Sequence, residues 1–364
     1  MNYFDQYDWN TMLNRNPPQS YSVSEYHKIL CPDFPDFLNK YLQLPLLTRL
    51  KGIGLLCGTD WTALYKNRFY YSRFDHSVGV ALIIWNFTHN KAQTIAGLLH
   101  DVSTPVFSHV SDFRKGDALT QTATEEPNAA LIKEDRQLAD CLAADSLTAS
   151  QVCDYHLYPI ADNEIPQLSA DRLEYMYPSG MALDGSWTME EVSRTYGDVT
   201  ILQNETGAPE LGFAHEEIAL EYCRHFCMIG HILQLNENKL TLQLLGQIMN
   251  LAVEENLLSE QDFMTLSEAE IIKKIEDEMA GSQHFNSLYR TFRQMNSIIH
   301  CQGKLASHFC VNLQVKQRYI DPLVKTETSQ AGAIRLSKLN DQAKKIITDF
   351  LNWKDTDWGC VKLL

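Results

Sequence analysis

The sequence lacks the features that would place it in a membrane or along nucleic acid. None of its apolar runs approaches the roughly 18 residues that a transmembrane helix requires. The N-terminus, MNYFDQYDWN, has neither the basic start nor the apolar core of a signal peptide. Lysine and arginine total 31 against 46 acidic residues, and the net charge of −15 argues against broad docking on nucleic acid, which requires a basic face. We therefore expect a cytoplasmic protein with no membrane association and no stable nucleic-acid partner.

The sequence also lacks a closely spaced cysteine framework. Nine cysteines are scattered along the chain, a pattern typical of reduced thiols in a cytoplasm. One local group, Cys223, Cys227 and His231, has steps of four residues and would lie along one helix face. Two interpretations stay open for this group: a zinc site, or packing in the core, which the missing fourth ligand favours.

Helical periodicity dominates what the sequence does contain. Hydrophobic residues make up 45% of the chain, enough for a sizeable core. In DHSVGVALIIWNF, the apolar residues recur at the spacing of a buried helix face. DVTILQNETGAPELGFA is typical of a β-hairpin, and QRYIDPLVK with AIRLSKL forms a second candidate strand pair. The fold class is therefore predicted as mainly α, a helical bundle with small β-hairpin elements in the C-terminal half.

No clean linker divides the chain, so the predicted organisation is one main domain with additions at both ends. We expect an N-terminal helical extension over residues 1–44 and a helical domain with the functional site over residues 45–270. A mixed helix and strand subdomain over residues 271–364 would pack on that domain.

The stretch IAGLLHDVSTPVFSH ends an apolar run with the polar pair His100 and Asp101. A buried polar group without a partner costs about 1–3 kcal/mol, so a metal ion or a hydrogen-bonded core must satisfy the pair. Adjacent residues inside a helix point in different directions, so His100 and Asp101 can reach one ion only where the helix ends. Pro105 predicts such an end, because a proline disfavours the helical conformation of the residue before it. His76 alone is typical of a core histidine. Together with Asp171 in LSADRLEYMYP, however, the set has two imidazoles and two carboxylates, which suit a divalent first-row metal.

The order of these motifs resembles that of the HD-domain metal-dependent phosphohydrolases. RFDHSVGVA, GLLHDVSTPVFSH and ADRLEYM are similar to three segments of the deoxynucleoside triphosphate triphosphohydrolase branch, and the resemblance extends over about residues 45–270. It implies an all-helical HD domain with one divalent ion, Mn, Mg, Fe, Ni or Zn. The ligands that the resemblance implies are His76, His100, Asp101 and Asp171.

The resemblance also implies roles for residues outside the metal set. Arg73 and Arg172 would contact phosphate, although Arg73 alone is typical of a surface ion pair. Tyr175 would stack on or hydrogen-bond a nucleoside, or else pack in the core. His109 would bind phosphate or protonate a leaving oxygen, since a histidine pKa lies near about 6.5, or it would cap a helix. Asp112 would orient a histidine or cap a helix.

Two positions depart from the branch pattern. Thr104 stands where the branch has its active-site histidine, and Glu125 is the nearest match to a second histidine. Threonine does not act as an acid or base near neutral pH, although Thr104 would bind the substrate by donating one hydrogen bond to phosphate, and a glutamate repels phosphate. We therefore expect a changed substrate or lost activity, with weak turnover of triphosphates.

These features favour a metal-dependent phosphohydrolase acting on a nucleotide or deoxynucleotide, with a small-molecule phosphate as its partner. The alternative on the same fold is a non-catalytic nucleotide- or metal-binding regulatory protein. A helical interaction scaffold without a ligand is the third hypothesis, and homo-oligomerisation is left open.

Overall fold

The computed structural model describes residues 2–6, 21–120, 127–278, 281–327 and 332–364. Glu125 lies outside the described residues. The described part is mainly α, as predicted, with 17 α-helices and two small sheets. The helices are α1 (Val23–Leu30), α2 (Pro45–Thr48), α3 (Arg73–Thr88), α4 (Lys91–Leu99), α5 (Val110–Arg114), α6 (Asn128–Glu134), α7 (Arg136–Ala144), α8 (Ala149–Val152), α9 (Ala170–Leu183), α10 (Met189–Gly197), α11 (Glu216–Gln234), α12 (Asn236–Glu254), α13 (Asp262–Thr265), α14 (Glu268–Glu278), α15 (Gln283–Gln294), α16 (Leu336–Leu339) and α17 (Asp341–Asn352).

Side-chain caps set where the helices of the site begin. Ser72 and Asp75 form a capping box at the start of α3, in which each side chain bonds the other residue's backbone N–H. Asn90 caps α4 by accepting a hydrogen bond from the Gln93 N–H, and Ser169 caps α9 in the same way. These caps fix the first turns of α3 and α9, which carry residues of the predicted metal set.

Two glycines allow the helices of the site to pack closely. A Cβ on Gly79 of α3 would collide with the side chain of Glu174 on α9. A Cβ on Gly97 of α4 would collide with Ile84 on α3. Only glycine at these positions lets α3 lie against both α4 and α9 at this distance.

The strands form two sheets. They are β1 (Val199–Gln203), β2 (Pro209–Phe213), β3 (Ile299–Cys301), β4 (His308–Val311), β5 (Leu323–Lys325), β6 (Ala333–Arg335) and β7 (Trp358–Lys362). The predicted hairpin is confirmed as the antiparallel pair β1 and β2, and the second predicted pair is confirmed as β5 and β6. The first sheet has the order β1-β2-β5-β6, with β2 parallel to β5, and the second has the order β3-β7-β4. The predicted boundary at residue 270 stays a prediction, and the β2–β5 pairing joins the chain on either side of it.

The cysteines differ from the sequence expectation in one place. Cys310 and Cys360 form a disulfide between β4 and β7, so the expectation of thiols alone is wrong for this pair. The strand register places the two residues directly opposite each other, with Cα atoms 4.1 Å apart, a separation that no spacing along the chain reveals. Cys223 and Cys227 are buried in the core, and His231 stacks on Phe4 with ring centroids 4.6 Å apart. Core packing is therefore the better interpretation of that group.

None of the helices in the described ranges is both long and apolar enough to cross a bilayer.

Candidate metal centre and active site

The four predicted ligands meet where α3, α4 and α9 converge. His76 lies in the first turns of α3, and Asp171 lies in the first turn of α9. His100 and Asp101 directly follow Leu99, the last residue of α4. His76 Nε2 is 3.2 Å from His100 Nε2 and 3.1 Å from Asp171 Oδ1. Asp101 Oδ2 lies 3.6 Å from His100 Nε2 and 3.8 Å from His76 Nε2. The folded chain therefore brings two imidazole nitrogens and two carboxylates to one point.

The outer nitrogens of the two imidazoles have fixed partners. His76 Nδ1 lies 2.5 Å from Oε2 of the fully buried Glu174, and His100 Nδ1 lies 2.7 Å from the Gly97 carbonyl oxygen. In the neutral form of both rings, with each Nδ1–H donating to its acceptor, both Nε2 lone pairs point into the same space as the carboxylate oxygens. Such crowding of electron pairs is unfavourable without a cation, and a carboxylate or carbonyl behind each histidine is the usual support of a metal-ligating imidazole. The donor set therefore fits a divalent metal.

The cluster also holds negative charge in the folded protein. Burial alone would raise the pKa of Asp171, but hydrogen bonding and charge interaction with His76 lower it to about 2. Burial likewise opposes ionisation of Asp101, yet Arg73, His100 and His76 hold the pKa of that carboxyl well below its usual range. For His76, burial would lower the pKa, but the bonds to Asp171 and Glu174 raise it to about 10. Both aspartates are thus carboxylates at neutral pH, whereas His76 holds a proton between Asp171 and Glu174, and a divalent ion would displace that proton from Nε2.

Arg73 is buried and not a surface residue, with only 7% of its area exposed. Its Nη1 donates to Asp101 Oδ2 at 2.8 Å, and its Nε donates to Ser108 Oγ at 3.0 Å. The guanidinium therefore connects the segment RFDHSVGVA to Asp101 and Ser108 of the segment GLLHDVSTPVFSH. It also lines the same cavity as the metal cluster.

The loop after the His-Asp pair is held from two sides. Thr104 Oγ1 donates to Asp101 Oδ1 at 3.0 Å, so this side chain orients a predicted metal ligand. Arg49 Nη2 donates to the carbonyl oxygens of Val102 and Thr104, each at 2.7 Å. The sequence reasoning missed Arg49, because nothing in its local pattern indicates that it reaches a loop more than fifty residues away.

The end of the segment GLLHDVSTPVFSH has unusual backbone geometry. Phe107 and Ser108 both adopt left-handed conformations, with φ of 62° and 53°. Non-glycine residues in this region cost on the order of 1 kcal/mol or more each, and such residues cluster at functional sites. Ser108 is fixed there by Arg73 and by its own hydrogen bond to the Gly54 carbonyl, at 3.3 Å. The turn delivers His109 to the cavity wall at the start of α5.

His109 and Asp112 form a pair in the cavity wall. His109 Nδ1 lies 2.9 Å from Oδ2 of the fully buried Asp112, and about a quarter of the histidine side chain is exposed (26%). Burial lowers the pKa of His109, and the positive charges of Arg318 and Arg73 lower it further, against the effect of Asp112. The ring is therefore neutral at pH 7, with its N–H directed at Asp112 and Nε2 left as the acceptor.

Arg172 and Tyr175 both line the cavity but differ in their surroundings. Arg172 Nε donates to the Gln167 carbonyl at 2.8 Å, and its other nitrogens contact Asp162 and Asn163. This guanidinium stabilises the loop that precedes α9. Tyr175 packs near His76, with ring centroids 6.5 Å apart, and burial raises its pKa to about 12.

Two kinds of residue were missed in the sequence. Glu174 stands three residues after Asp171 within ADRLEYM, so the motif already contained the signal for it. Lys316 and Arg318 line the same cavity, but they come from the segment before β5 and belong to no motif.

A second histidine and carboxylate group lies near the C-terminal sheet. His300 Nε2 is 2.8 Å from Glu237 Oε1, and its Nδ1 is 3.0 Å from Asp355 Oδ1. Hydrogen bonds to Asp355 and Glu237 raise the pKa of His300 to about 10. Both ring nitrogens already contact a carboxylate, so this group is an ion-paired imidazolium.

Comparison with known sequences gives a chemical class. No family model matches the chain. The chain is 25% identical over 235 residues to the metal-dependent phosphohydrolase cns2 of Cordyceps militaris, an alignment that covers 64% of this chain and 66% of that protein. It is 28% identical over 142 residues to the uncharacterized protein YdhJ of Bacillus subtilis, covering 38% of this chain and 41% of that protein. Both alignments span less than two thirds of the relative's length.

Comparison with solved structures extends over almost the whole chain. A phosphohydrolase from Bacteroides thetaiotaomicron superposes with a TM-score of 0.61 at 13% identity, covering 91% of this chain and 97% of that one. A hypothetical protein from Aquifex aeolicus gives a TM-score of 0.58 at 14% identity, covering 90% and 92%. The chain resembles a metal-dependent phosphohydrolase in sequence and shares its fold with a solved phosphohydrolase. None of these names refers to deoxynucleoside triphosphates, so the triphosphohydrolase branch stays a prediction.

Proposed function

We propose that this protein is an HD-type metal-dependent phosphohydrolase that acts on a nucleotide or deoxynucleotide. One observation carries the proposal: two imidazoles with fixed Nδ1 partners and two carboxylates converge in the wall of a cavity. His76, His100, Asp101 and Asp171 would hold one divalent ion. The similarity to a protein named metal-dependent phosphohydrolase supports the same chemistry.

The chemistry divides between the ion and the chain. A divalent ion at this cluster would polarise a phosphoryl oxygen and activate a nearby water for attack on phosphorus. Arg73 supplies a fixed positive charge next to Asp101, where negative charge develops on phosphate oxygens. His109 accepts a proton through Nε2, and Asp112 holds its Nδ1–H. This is the reverse of the proton-donor role expected from the sequence, because the lowered pKa leaves the ring neutral.

The cavity has room for an organic group beside the phosphate. Asp171, Tyr175, Ser179 and Leu183 line it at successive four-residue steps of α9. At about 1.5 Å per residue, these positions extend over roughly 18 Å. The other walls include apolar side chains from several elements, among them Leu55, Leu56, Ile232, Leu242 and Val315. A polar end at the metal cluster and a longer, partly apolar remainder suit a nucleotide.

One observation favours the alternative of a non-catalytic binding protein. Thr104 is engaged with Asp101, and threonine does not transfer protons at neutral pH. Such a protein would bind metal and nucleotide without releasing phosphate.

The test is a hydrolysis screen with product identification. Purified protein is incubated with Mn²⁺, Mg²⁺, Fe²⁺, Ni²⁺ or Zn²⁺ and with nucleoside mono-, di- and triphosphates, and the released phosphate, pyrophosphate or triphosphate is identified. We expect metal-dependent release from at least one nucleotide and none from Asp101→Ala. Nucleotide binding without release under every metal would support the regulatory alternative and overturn catalysis.

A further inference from the structure

The second sheet carries three cysteines on one face. In the order β3-β7-β4, Cys301 lies on β3, Cys360 lies on the central strand β7, and Cys310 lies on β4. Cys310 pairs directly with Cys360, and Cys301 pairs with Trp358, two residues before Cys360. Directly paired residues share one face of a sheet, as do residues two apart along a strand. The three sulfur atoms therefore face the same side, with that of Cys360 in the middle.

Cys301 approaches the disulfide from the side opposite Cys310. Its Sγ lies 3.6 Å from Cys360 Sγ, the sulfur that is bonded to Cys310. Because β3 and β4 flank β7 on opposite sides, Cys301 and Cys310 reach Cys360 Sγ from opposite directions. Disulfides exchange when a thiolate attacks one of the two sulfurs, and the attack comes from the side opposite the sulfur that leaves. The strand order therefore gives the three sulfurs the arrangement that thiol–disulfide exchange requires.

Burial restricts which sulfurs react with molecules in solution. Cys360 is fully buried, whereas Cys301 and Cys310 are half-buried. A dissolved thiol or disulfide therefore reaches the two outer sulfurs but not the central one. Cys360 exchanges its bonding partner only with its neighbours in the sheet.

The backbone supplies different partners to the two outer sulfurs. The Cys301 thiol donates to the Gly303 carbonyl oxygen at 3.1 Å and lies 3.9 Å from the Trp358 carbonyl oxygen. Cys310 Sγ accepts a hydrogen bond from the Leu305 N–H at 3.4 Å and lies 3.8 Å from the Leu305 carbonyl oxygen. A donated N–H stabilises a developing thiolate, and a stabilised thiolate leaves more readily. These contacts suit Cys301 as the resting thiol and Cys310 as the sulfur that leaves.

The two possible disulfides close loops of nearly equal length. Cys310 and Cys360 are 50 residues apart, and Cys301 and Cys360 are 59 residues apart. The entropy of closing a loop depends only logarithmically on its length, so it scarcely favours one disulfide over the other. Local contacts such as those with Gly303 and Leu305 therefore set the balance between the two.

We propose that Cys301, Cys310 and Cys360 form a thiol–disulfide exchange site in which Cys360 alternates between two partners. The Cys301 thiol loses its proton to water, and the resulting thiolate attacks Cys360 Sγ. The Cys301–Cys360 bond forms as the Cys310–Cys360 bond breaks, and the Cys310 thiolate takes up a proton from water. One disulfide and one thiol are present before and after, so the step requires no oxidant or reductant. The site is separate from the metal centre and does not depend on the proposed hydrolysis.

Exchange moves the covalent link of β7 from one neighbouring strand to the other. The disulfide of Cys310 links β7 to β4, and a disulfide of Cys301 would link β7 to β3. Exchange also changes which sulfur is a thiol, because Cys310 is then the free member of the site. Since Cys310 is half-buried, this thiol becomes available to soluble disulfides and alkylating reagents.

The experiment identifies the disulfide partners by mass spectrometry. The full-length protein is equilibrated at pH 8 with a mixture of reduced and oxidised glutathione, desalted, incubated at the same pH and blocked with N-ethylmaleimide. Digestion with pepsin in acid prevents further exchange, because the thiols are then protonated. In wild type we expect linked peptides of both pairs, Cys301–Cys360 and Cys310–Cys360, together with maleimide label on Cys310.

Single variants separate exchange from mere proximity. Cys310→Ala should form the Cys301–Cys360 disulfide, and Cys310→Ser is the second variant if the alanine form does not fold. Cys301→Ala should hold only the Cys310–Cys360 disulfide. Maleimide label on Cys310 should therefore be higher in wild type than in Cys301→Ala by about 10-fold or more. Cys153→Ala removes a half-buried cysteine outside the sheet and should match wild type.

Three outcomes would overturn the inference. The first is wild-type protein in which the Cys301–Cys360 pair is absent after the incubation. The second is a folded Cys310→Ala or Cys310→Ser protein that keeps both remaining cysteines of the site as thiols under the same conditions. The third is pairing of Cys360 with the remote Cys141 to the same extent as with Cys301, which would mark non-specific scrambling.

Discussion

Glu174 decides which nitrogen His76 presents to the metal cluster. Its Oε2 contacts His76 Nδ1 at 2.5 Å, and its Oε1 accepts a hydrogen bond from the Tyr71 hydroxyl at 2.5 Å. The carboxylate is fully buried, so no water competes for the histidine. This contact fixes the tautomer in which Nε2 is a ligand.

Glu174→Gln should therefore lower metal affinity about 10- to 100-fold, because the amide no longer holds the His76 tautomer through a charged acceptor. The measurement is a competition titration with a chromophoric chelator at a temperature well below unfolding. Glu254→Gln, an exposed change at the end of α12, is the matched control. Tyr71→Phe removes the other partner of Glu174 and should have the smaller effect. Unchanged affinity in Glu174→Gln would show that this carboxylate does not support a metal-binding His76.

His109 should control the acid side of the pH–rate profile. Its pKa is lowered from 6.5, so the ring is neutral at pH 7 and becomes protonated only as the pH falls through the lowered value. If Nε2 accepts a proton in the reaction, kcat/KM should stay constant around pH 7 and fall as the pH drops through that lowered pKa.

His109→Ala should cut turnover by about 10²- to 10⁴-fold while the metal stays bound, the usual effect of removing a general acid or base. The exposed His284→Ala on α15 is the control and should retain wild-type rates. A variant that keeps its activity, or that unfolds without a specific kinetic defect, would assign His109 to the scaffold.

At the scale of the elements, an ion-paired histidine connects the C-terminal sheet to the helices. His300 of β3 contacts Glu237 in the first turn of α12 and Asp355 before β7. The folded state raises the pKa of His300 from 6.5 to about 10. The pairing therefore contributes its full stabilisation below about pH 6.5, and loses it as the pH rises through about 10.

His300→Gln should lower the melting temperature by roughly 1–3 °C at pH 6, a modest effect because the side chain is partly exposed. The difference from wild type should shrink at pH 10.5, where the imidazole is neutral in both states. His308→Gln on β4, the strand on the other side of β7, is the control. A pH-independent difference would mean that packing and not charge joins the sheet to α12.

At the scale of the whole molecule, the metal cluster connects three helices that are far apart along the chain. Its ligands come from α3, the end of α4 and the start of α9, and the four donors are negatively charged overall. A cation that binds the folded but not the unfolded chain must stabilise the fold through mass action.

A divalent ion at 100 times its dissociation constant should add about 2.7 kcal/mol to the free energy of unfolding. Thermal unfolding with and without added metal measures the effect, and a chelator should reverse it. Asp171→Asn should abolish the metal-dependent rise, whereas the exposed Asp140→Asn on α7 should preserve it. A rise of the same size in Asp171→Asn would place the bound ion elsewhere.

The sequence by itself determined the helical class, the hairpin and the identity of the clustered side chains. These features depend on local information: the apolar periodicity of α3, the turn between β1 and β2, and the order of His76, His100, Asp101 and Asp171. Glu174 was also readable in principle, because it lies one helical turn from Asp171.

Only the tertiary structure decided the features that depend on contacts between distant segments. Arg49 reaches the carbonyls of the loop at residues 102–104, Cys310 pairs with Cys360 across two strands, and Lys316 with Arg318 faces the cavity from beyond residue 270. The protonation state of His109 belongs to the same group, since burial and the charges of Arg318 and Arg73 set its pKa. A motif shows which side chains are available. The distances between these side chains, their burial and the electrostatic potential around them exist only after the chain has packed. These three quantities determine which proton or anion each side chain binds.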